Sequence, residues 1–528
     1  MKKVLLIIID ALASRVVDPA MDQGRLPNLR RLRDATDVRT NSIAVFPSIT
    51  PAATTSLITG CYPGEHGISG AYWYIPNEKR VVYFGYDFWA ILENGIDSFF
   101  DEFLLKLNTD HLRVKTLFQR VEEQGLSAAS LNYLIYHGDH HHDLKLPPLQ
   151  RLLSDAISDL LPDASATTTV DGPTLLYFGD LVQTPLSDGS ELTFKSGITN
   201  RLGFTDDSAA DMLVHMLDND VLPDLTVAYF PGNDSRSHEV GPERALDHLE
   251  EVDQRLGDVY AAFGGFERML DQVAVVLTGD HSQSDVLPEE EQPGIRLDEL
   301  LESFEVADAG TAMSDEDDLV VCPNLRAAQI YFHTPRQDYL ERVVAELMRD
   351  ERIDQVLWSA EFFEADGRGF HVVSRERGRV HVWPGDSGPD HATDEYGNVW
   401  SWTGNLEAVD GHVSDGTGGG DADGVITFGD YPNAFERIAQ LLNLDVAGHL
   451  WVTSKPGYEL CLEHTLIHAG GGSHGSLHVL DSVSPLWVAG APADFEFIPG
   501  TRPHGVRPEN MRSVDVVPIC LNILGMAE

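Results

Sequence analysis

The chain has 528 residues, of which 42% are hydrophobic, and 84 Asp and Glu against 37 Lys and Arg give a formal net charge of −47. This length and apolar content predict a globular protein with a full core, and the charge argues against a nucleic-acid polymer or an anionic membrane as a partner. No apolar run approaches the roughly 20 residues that cross a bilayer. Only eight basic residues are Lys, a pattern that fits a protein solvated in high salt, although a high-GC source would also explain it.

The first element is predicted from the apolar run Val4 to Ile9, which ends at Asp10. Such a short run falls below the usual core of a secretory signal, so it is interpreted as a buried parallel strand with a carboxylate at its C-terminal end. The four cysteines are far apart and form no CxxC pair, which argues against a disulfide framework or a thiolate zinc site. A cytoplasmic location is therefore expected.

The next informative stretch is "FPSITPAATTSLITGCYPGEHGI", Phe46 to Ile68. Thr50 followed by Pro51 is a common helix start, because Thr can cap the free amides and Pro suits the first helical position. An Ala- and Thr-rich segment of helical length then runs to Gly60. Whether Thr50 only caps this helix or also does chemistry is left open by the local pattern.

The segment from Ala71 to Trp89 is rich in aromatic residues. A packed subdomain is the favoured interpretation, and stacking of a nucleobase or an aryl leaving group is the alternative.

Further along, the apolar runs "LTVAYFPGND" and "VAVVLTGDH" each end in a polar cluster. Between them, Glu243 to Leu270 has the apolar spacing of a helix, so the three segments predict a parallel βαβ unit. Ligands of such sheets gather at the C-terminal ends of the strands, where these clusters lie. The fold is therefore expected to be α/β, with a central, mostly parallel sheet sandwiched by helices.

A change of pattern marks the segment 296–429. Within it, "AAQIYFHTPRQDYLERVVAELMRDERIDQVLW" predicts a strand, a helix and a second strand. The alternating residues that follow in "GFHVVSRERGRVHVWPG" predict an antiparallel hairpin. We interpret residues 296–429 as an inserted α+β cap subdomain, and residues 1–295 and 430–528 as a discontinuous catalytic core.

Six Asp and His residues stand out as candidate metal ligands: Asp10, Asp234, His238, Asp280, His281 and His474. Asp234 and His238 are spaced i and i+4, which brings them to one side of a helical turn. Each pattern alone is more typical of a turn or a loop. Together, at predicted strand ends and in Gly-rich turns, they could supply two three-ligand sites for zinc or a similar divalent ion.

The sequence resembles the alkaline phosphatase superfamily, and within it the type I phosphodiesterase and nucleotide pyrophosphatase group. The resemblance rests on "IIIDALASR", "PNLRRL", "FPSITPAATTSLITGCYPGEHGI", "NDSRSHEVGP", "LTGDH" and "GSHGSLH", in the order typical of that group. It implies an alkaline-phosphatase-like fold and a hydrolase of phosphoric esters. A small-molecule phosphoester or a nucleotide is the implied substrate, and the oligomeric state is left open.

The resemblance also implies roles for the six ligands. Asp234, His238 and His474 would hold one metal ion, and Asp10, Asp280 and His281 would hold the other, with zinc expected and manganese as the alternative. Thr50 would be the nucleophile and would pass through a covalent phosphothreonine-type intermediate. Coordination of the hydroxyl to a divalent ion and the positive end of a helix would both favour the alkoxide.

One departure concerns Ala53, which stands where the group is expected to have an Asn that donates to a phosphoryl oxygen. Asn132 and His137, after a predicted strand, are candidate substitutes for substrate binding. The expected function is a phosphodiesterase or nucleotide pyrophosphatase. The alternatives are a phosphomonoesterase of the alkaline phosphatase type, a phosphonate hydrolase, and an inactive scaffold or binding protein.

Overall fold

The computed structural model describes residues 2–84, 99–144, 169–185, 203–414, 424–493, 495 and 510–526. The α-helices of these residues are α1 (Ser14–Asp22), α2 (Pro27–Asp34), α3 (Thr50–Thr59), α4 (Pro63–His66), α5 (Leu117–Glu123), α6 (Asp206–Asp218), α7 (Gly232–Val240), α8 (Leu246–Ala262), α9 (Phe266–Gln272), α10 (Leu297–Leu300), α11 (Gln337–Leu347), α12 (Ala434–Leu442), α13 (Val479–Ser482) and α14 (Val516–Ile523).

The strands of the same residues are β1 (Lys3–Ile9), β2 (Thr36–Ile43), β3 (Tyr72–Ile75), β4 (Arg80–Tyr83), β5 (Ala128–Leu131), β6 (His140–Asp143), β7 (Thr169–Gly172), β8 (Leu175–Phe178), β9 (Val182–Gln183), β10 (Leu225–Phe230), β11 (Val273–Thr278), β12 (Ser284–Asp285), β13 (Gly294–Arg296), β14 (Leu319–Asn324), β15 (Ala327–Phe332), β16 (Ile353–Ser359), β17 (Phe370–Ser374), β18 (Gly378–Pro384), β19 (Asp390–Asp394), β20 (Val399–Gly404), β21 (Gly411–Ser414), β22 (Val425–Phe428), β23 (Leu450–Ser454), β24 (Glu459–Cys461), β25 (Gly472–Ser473), β26 (Val483–Ala489) and β27 (Met511–Arg512).

The central sheet has the strand order β27-β2-β26-β11-β1-β10-β5-β8-β9 among the described residues. Its middle strands β11, β1, β10, β5 and β8 are parallel, and β26 joins in the antiparallel direction. Successive residues of β1 enter two different apolar clusters, one packed with α3, α5 and α14 and the other with α1, α2, α6, α8 and α9. Because helices cover both faces, β1 is apolar along its length, and the predicted α/β sandwich is confirmed.

The predicted βαβ unit differs from the observed one in two respects. The strands β10 and β11 are parallel but not adjacent, because β1 lies between them. The single helix predicted over Glu243 to Leu270 is wrong, since α8 and α9 are separate helices. Gly264 and Gly265, with φ of 84° and 116°, adopt a backbone conformation that interrupts the helical path.

A second sheet of the described residues has the order β14-β15-β23-β16-β17-β18-β20-β19-β22-β21. The predicted strand, helix and strand are β15, α11 and β16, and the predicted hairpin is β17 and β18. Apolar clusters on the two faces of this sheet contain α11 on one side and α12 on the other. The boundaries 296–429 remain a prediction, and β23, which comes after residue 430, lies between β15 and β16.

The aromatic segment packs as favoured where it is described. Tyr72, Trp73, Tyr74 and Phe84 are buried in the core, and residues 85–89 lie outside the described residues. None of the helices in the described part of the chain is long and apolar enough to cross a bilayer.

Candidate metal and nucleophile site

The candidate site lies at the C-terminal ends of three neighbouring parallel strands, β10, β1 and β11. Asp10 directly follows β1, and Asp280 and His281 follow β11 after one glycine. The helix α7 begins shortly after β10 and carries Asp234 and His238 one turn apart. Five predicted ligands therefore meet at one edge of the sheet, as expected for an α/β protein.

The sixth predicted ligand, His474, comes from the Gly-rich turn after residue 470. Gly471 of this turn approaches His238 so closely that a Cβ would lie 1.9 Å from the His238 carbonyl oxygen. The absence of a side chain there lets the turn reach α7 and place His474 beside His238.

Thr50 is the first residue of α3, but it does not cap the helix. The cap position is Ile49, and no side chain makes a capping hydrogen bond. The Thr50 hydroxyl oxygen instead lies 3.0 Å from Nε2 of His281. The capping expectation is therefore wrong, because this hydroxyl faces the Asp and His cluster.

The first predicted ligand set is Asp234, His238 and His474, and a ring nitrogen of His281 also lies within 4.8 Å of the ligand atoms of Asp234 and His474. Nε2 of His474 lies 3.2 Å from Nε2 of His238 and 3.6 Å from Oδ1 of Asp234. The Nε2 atom of His238 lies 3.4 Å from the same oxygen. Tetrahedral ligands at about 2.0–2.1 Å from zinc would lie about 3.3–3.4 Å from one another, so this spacing fits one divalent ion.

The second predicted ligand set is Asp10, Asp280 and His281. Nε2 of His281 lies 3.6 Å from Oδ1 of Asp10 and 3.5 Å from Oδ2 of Asp280, and the three ligand atoms lie within 4.8 Å of one another. The rings of His281 and His474 stack with centroids 3.8 Å apart. The two sets are therefore neighbours, with Thr50 beside the second.

Backbone carbonyls fix the tautomer of all three histidines. Nδ1 of His238 lies 2.8 Å from the oxygen of Gly472, Nδ1 of His474 lies 2.7 Å from that of Ser48, and Nδ1 of His281 lies 3.1 Å from that of Ser282. A carbonyl only accepts, so each Nδ1 carries the proton. Each Nε2 then presents a lone pair to the site, as metal-binding histidines do.

In the described part of the chain, each carboxylate of the second set is buried with only one of its two oxygens hydrogen-bonded. Burial raises the pKa of Asp10 well above its ordinary value, and the charges of Asp280 and Asp234 raise it further. Burial also raises the pKa of Asp280. Among the described residues, no hydrogen-bond donor reaches Oδ1 of Asp10 or Oδ2 of Asp280. A divalent cation would satisfy these oxygens and offset their charge, so the residues fit a metal site.

Comparison with known proteins places the chain in a family. The sequence model of the family described as type I phosphodiesterase / nucleotide pyrophosphatase matches residues 4–477. The chain belongs to this family. It is a phosphoester hydrolase of the alkaline phosphatase superfamily.

Two solved structures of phosphonoacetate hydrolase from Sinorhizobium meliloti 1021 share the fold. The complex with phosphonoformate superposes with a TM-score of 0.54 at 16% identity, and the complex with phosphonoacetate with 0.56 at 15%. Each alignment covers 100% of this chain and 96% of the hydrolase. This likeness confirms the alkaline-phosphatase-like fold. A comparison with curated proteins found no match.

Two residues that hydrogen-bond to the candidate ligands were not predicted. Tyr229, in β10, donates its hydroxyl hydrogen bond to Oδ2 of Asp10, and Gln283 donates from Nε2 to Oδ1 of Asp234. Tyr229 stands in an apolar strand, where an aromatic residue is ordinary. Only its place near the end of that strand, just before the polar cluster, could have signalled the role.

The second sheet also contacts the site through the turn between β14 and β15. The Arg326 amide in this turn donates to the carbonyl of His474 over 2.9 Å. Its buried guanidinium pairs with the buried Asp481 and donates to Oγ of Ser284 over 2.9 Å. The turn therefore holds the loops that follow β11 and precede β26.

The two substrate-binding candidates do not join the cluster. Asn132 donates from Nδ2 to Thr205 and Ser208 and accepts from the amide of Gly179, so its amide supports the framework. Burial lowers the pKa of His137, and its backbone amide donates to Asn108 over 3.1 Å. Substrate binding by either residue stays a prediction.

Ala53, the position without the expected Asn, is fully buried. It packs in a small apolar cluster with Val45, Ala52, Tyr62 and Val514. A polar side chain at residue 53 would therefore enter an apolar environment.

Glu364, His371 and His381 form another carboxylate and histidine group in the second sheet, but with a different surrounding. Arg379 donates to Nδ1 of His371 over 3.0 Å. The proton of neutral His371 must then be on Nε2, which lies 2.7 Å from Oε1 of Glu364. The proton and the neighbouring guanidinium both oppose a cation, in contrast to the two ligand sets.

Proposed function

We propose that the chain is a two-metal phosphodiesterase of the nucleotide pyrophosphatase type with Thr50 as its nucleophile. The observation that carries this proposal is the 3.0 Å approach of the Thr50 hydroxyl to Nε2 of His281, beside two adjoining ligand sets. Membership in the phosphodiesterase family supports the reaction class.

The metal ions in this proposal are zinc, with manganese as the alternative. Asp234, His238 and His474 would hold one ion, and Asp10, Asp280 and His281 the other. Such ions lower the pKa of hydroxyl groups and water and neutralise charge on phosphoryl oxygens. The mixed carboxylate and imidazole donor set suits zinc.

Thr50 performs the covalent step. Its oxygen forms a bond to phosphorus while the bond between phosphorus and the leaving alcohol or nucleotide breaks, and the departing oxygen takes up the proton that Thr50 gives up. A water molecule then attacks phosphorus, the bond to Thr50 breaks, and the Thr50 hydroxyl is restored. The positive end of α3, where Thr50 lies, favours anionic oxygen in both steps.

The test is a comparison of substrates with zinc- or manganese-loaded protein. We expect a higher kcat/KM with bis-p-nitrophenyl phosphate than with p-nitrophenyl phosphate, and at least about a 1,000-fold loss for Thr50→Ala with two ions still bound. Thr50→Ser, which keeps a hydroxyl, is the matched control and should retain measurable turnover. A preference for the monoester would establish the phosphomonoesterase alternative, and full activity of Thr50→Ala would exclude Thr50 as nucleophile.

A phosphonate hydrolase is the second candidate, because the structures that share the fold are of a phosphonoacetate hydrolase bound to phosphonoformate or phosphonoacetate. Release of inorganic phosphate from phosphonoacetate, without hydrolysis of diesters, would favour it. Folded protein that binds no divalent ion would instead indicate an inactive scaffold.

A further inference from the structure

Asn233 occupies the first turn of α7, directly before the ligand Asp234, and is 2% exposed. Its side-chain nitrogen donates to the carbonyl oxygen of Asp10 over 2.8 Å and to that of Ala11 over 3.1 Å. Both acceptors are carbonyls, so only the NH₂ end of the amide can face them. One side chain therefore makes two buried bonds to the loop after β1.

These two bonds join the two ligand sets. Asp234 belongs to the first set and Asp10 to the second. The ladder between β1 and β10 ends at the pair Ile9 and Phe230, and the Asp10 amide still donates to the carbonyl of Phe230 over 3.0 Å. Beyond that bond the segments that follow β1 and β10 adopt different structures. The Asn233 side chain therefore extends the connection as far as the candidate ligands themselves.

Both backbone polar groups of Ala11 are hydrogen-bonded to side chains. Its amide donates to Oδ1 of Asp280 over 3.1 Å, while its carbonyl accepts from Asn233. Ala11 itself has a φ of 53°, an unusual conformation for a residue with a side chain. These contacts form a continuous connection from Asp280, in the second set, to Asp234, in the first.

We propose that Asn233 is a positioning residue that sets the separation of the two ligand sets, and with it the spacing of the two metal ions. This inference rests on the proposed two-metal function. In-line transfer between two ions requires their spacing to match the attacking and leaving oxygens. A change of spacing therefore slows the chemical step more than it weakens substrate binding.

The test uses the full chain loaded with Mn²⁺. For wild type, Asn233→Ala and Asn233→Ser we would measure bound metal per chain, magnetic coupling between the two Mn²⁺ ions by electron paramagnetic resonance, and kcat and KM for bis-p-nitrophenyl phosphate. We expect Asn233→Ala to keep two ions, to show altered coupling, and to lose about 10–100-fold in kcat with KM changed less than about threefold. Asn233→Ser, which keeps a shorter donor, should lie between it and wild type.

Gln355→Ala is the matched control, because Gln355 is a buried amide in the second sheet that donates to the carbonyl of Ala408 over 2.9 Å. It should leave coupling and kcat unchanged. Unchanged coupling and kcat in Asn233→Ala would overturn the positioning role. Wild type that binds fewer than two ions would overturn the proposed function instead. If Asn233→Ala does not fold, wild-type coupling and kcat in Asn233→Ser would overturn the inference.

Discussion

Asp10 and Asp280 place negative charge where water does not reach. Both lie at the C-terminal ends of apolar strands, and both keep one oxygen without a hydrogen-bond donor among the described residues. The three histidines donate from Nδ1 to backbone carbonyls, so Nε2 is the ring nitrogen that faces these carboxylates. The arrangement is unfavourable without a cation and favourable with one, which is the expected property of a preformed metal site.

Asp280→Asn should affect the metal-free protein and the metal-loaded protein in different ways. The amide keeps an oxygen for the amides of Ala11 and His281 but removes a charge and a ligand. In chelator-treated protein we expect an increase in the free energy of unfolding of roughly 1 kcal/mol. With metal present we expect binding to fall from two ions to one per chain and kcat/KM to fall at least about 100-fold. Differential scanning calorimetry and metal analysis would check both.

Asp253→Asn is the control for this prediction. Asp253 is also buried, but it accepts from the amides of Asn28 and Leu29 between α2 and α8. The variant should lose the same stability with and without metal. Equal destabilisation of Asp280→Asn under both conditions would contradict the metal assignment of Asp280.

At the scale of elements, α3, which carries the proposed nucleophile Thr50, is joined to α4 by a buried histidine. His66, in α4, is fully buried; its Nε2 lies 3.0 Å from Oγ of Ser56 in α3, and its Nδ1 accepts from the amide of Ile68 over 3.1 Å. Accepting at Nδ1 places the proton on Nε2, so neutral His66 donates to Ser56. The histidine in "YPGEHGI" therefore joins α3 to α4, and its role beside the proposed nucleophile is structural.

This contact predicts a dependence of stability on pH. Burial lowers the pKa of His66 to about 3 from 6.5. The unfolded chain takes up a proton below about pH 6.5 while the folded chain does not, so the free energy of unfolding decreases as pH falls from 6.5 toward 3. The contribution is up to about 1.4 kcal/mol per pH unit. Urea unfolding at pH 7, 6 and 5 should show a shallower dependence for His66→Asn than for wild type.

His464→Asn provides the comparison, since the His464 side chain is 90% exposed. It should keep the wild-type dependence on pH. The same slope in His66→Asn and in wild type would show that His66 does not resist protonation.

At the scale of the whole molecule, the carboxylates that give the net charge of −47 repel one another. Carboxylates such as the adjacent Glu289, Glu290 and Glu291 are exposed, and salt screens charges more than about 10 Å apart at 0.1 M. We expect the thermal midpoint to rise by several degrees between about 0.05 and 1 M NaCl. Choline chloride, which is also a salt, should raise the thermal midpoint in the same way. The zwitterion betaine, which does not screen charge, should not. A midpoint that does not depend on salt would exclude adaptation to high salt.

The clustering of the six candidate ligands could be predicted because each follows an apolar run or a glycine turn that is visible locally. Asn233 could not be, since its acceptors lie more than 220 residues away and are backbone atoms, which leave no mark in the sequence. The interruption between α8 and α9 depends on two adjacent glycines, which do not disturb the apolar periodicity from which a single helix was predicted. The placement of β1 between β10 and β11 depends on pairing across the whole chain, which apolar periodicity does not encode.

The position of β23 between β15 and β16 affects how the chain is completed during synthesis. Both neighbours leave the ribosome about 100 residues before β23 does, given a gap from Ser359 to Leu450. Until then each keeps an unpaired edge, which is open to association with other chains. The last predicted ligand, His474, follows only 20 residues after β23 ends at Ser454. The second sheet and the candidate metal site are therefore completed within a short stretch of synthesis of each other.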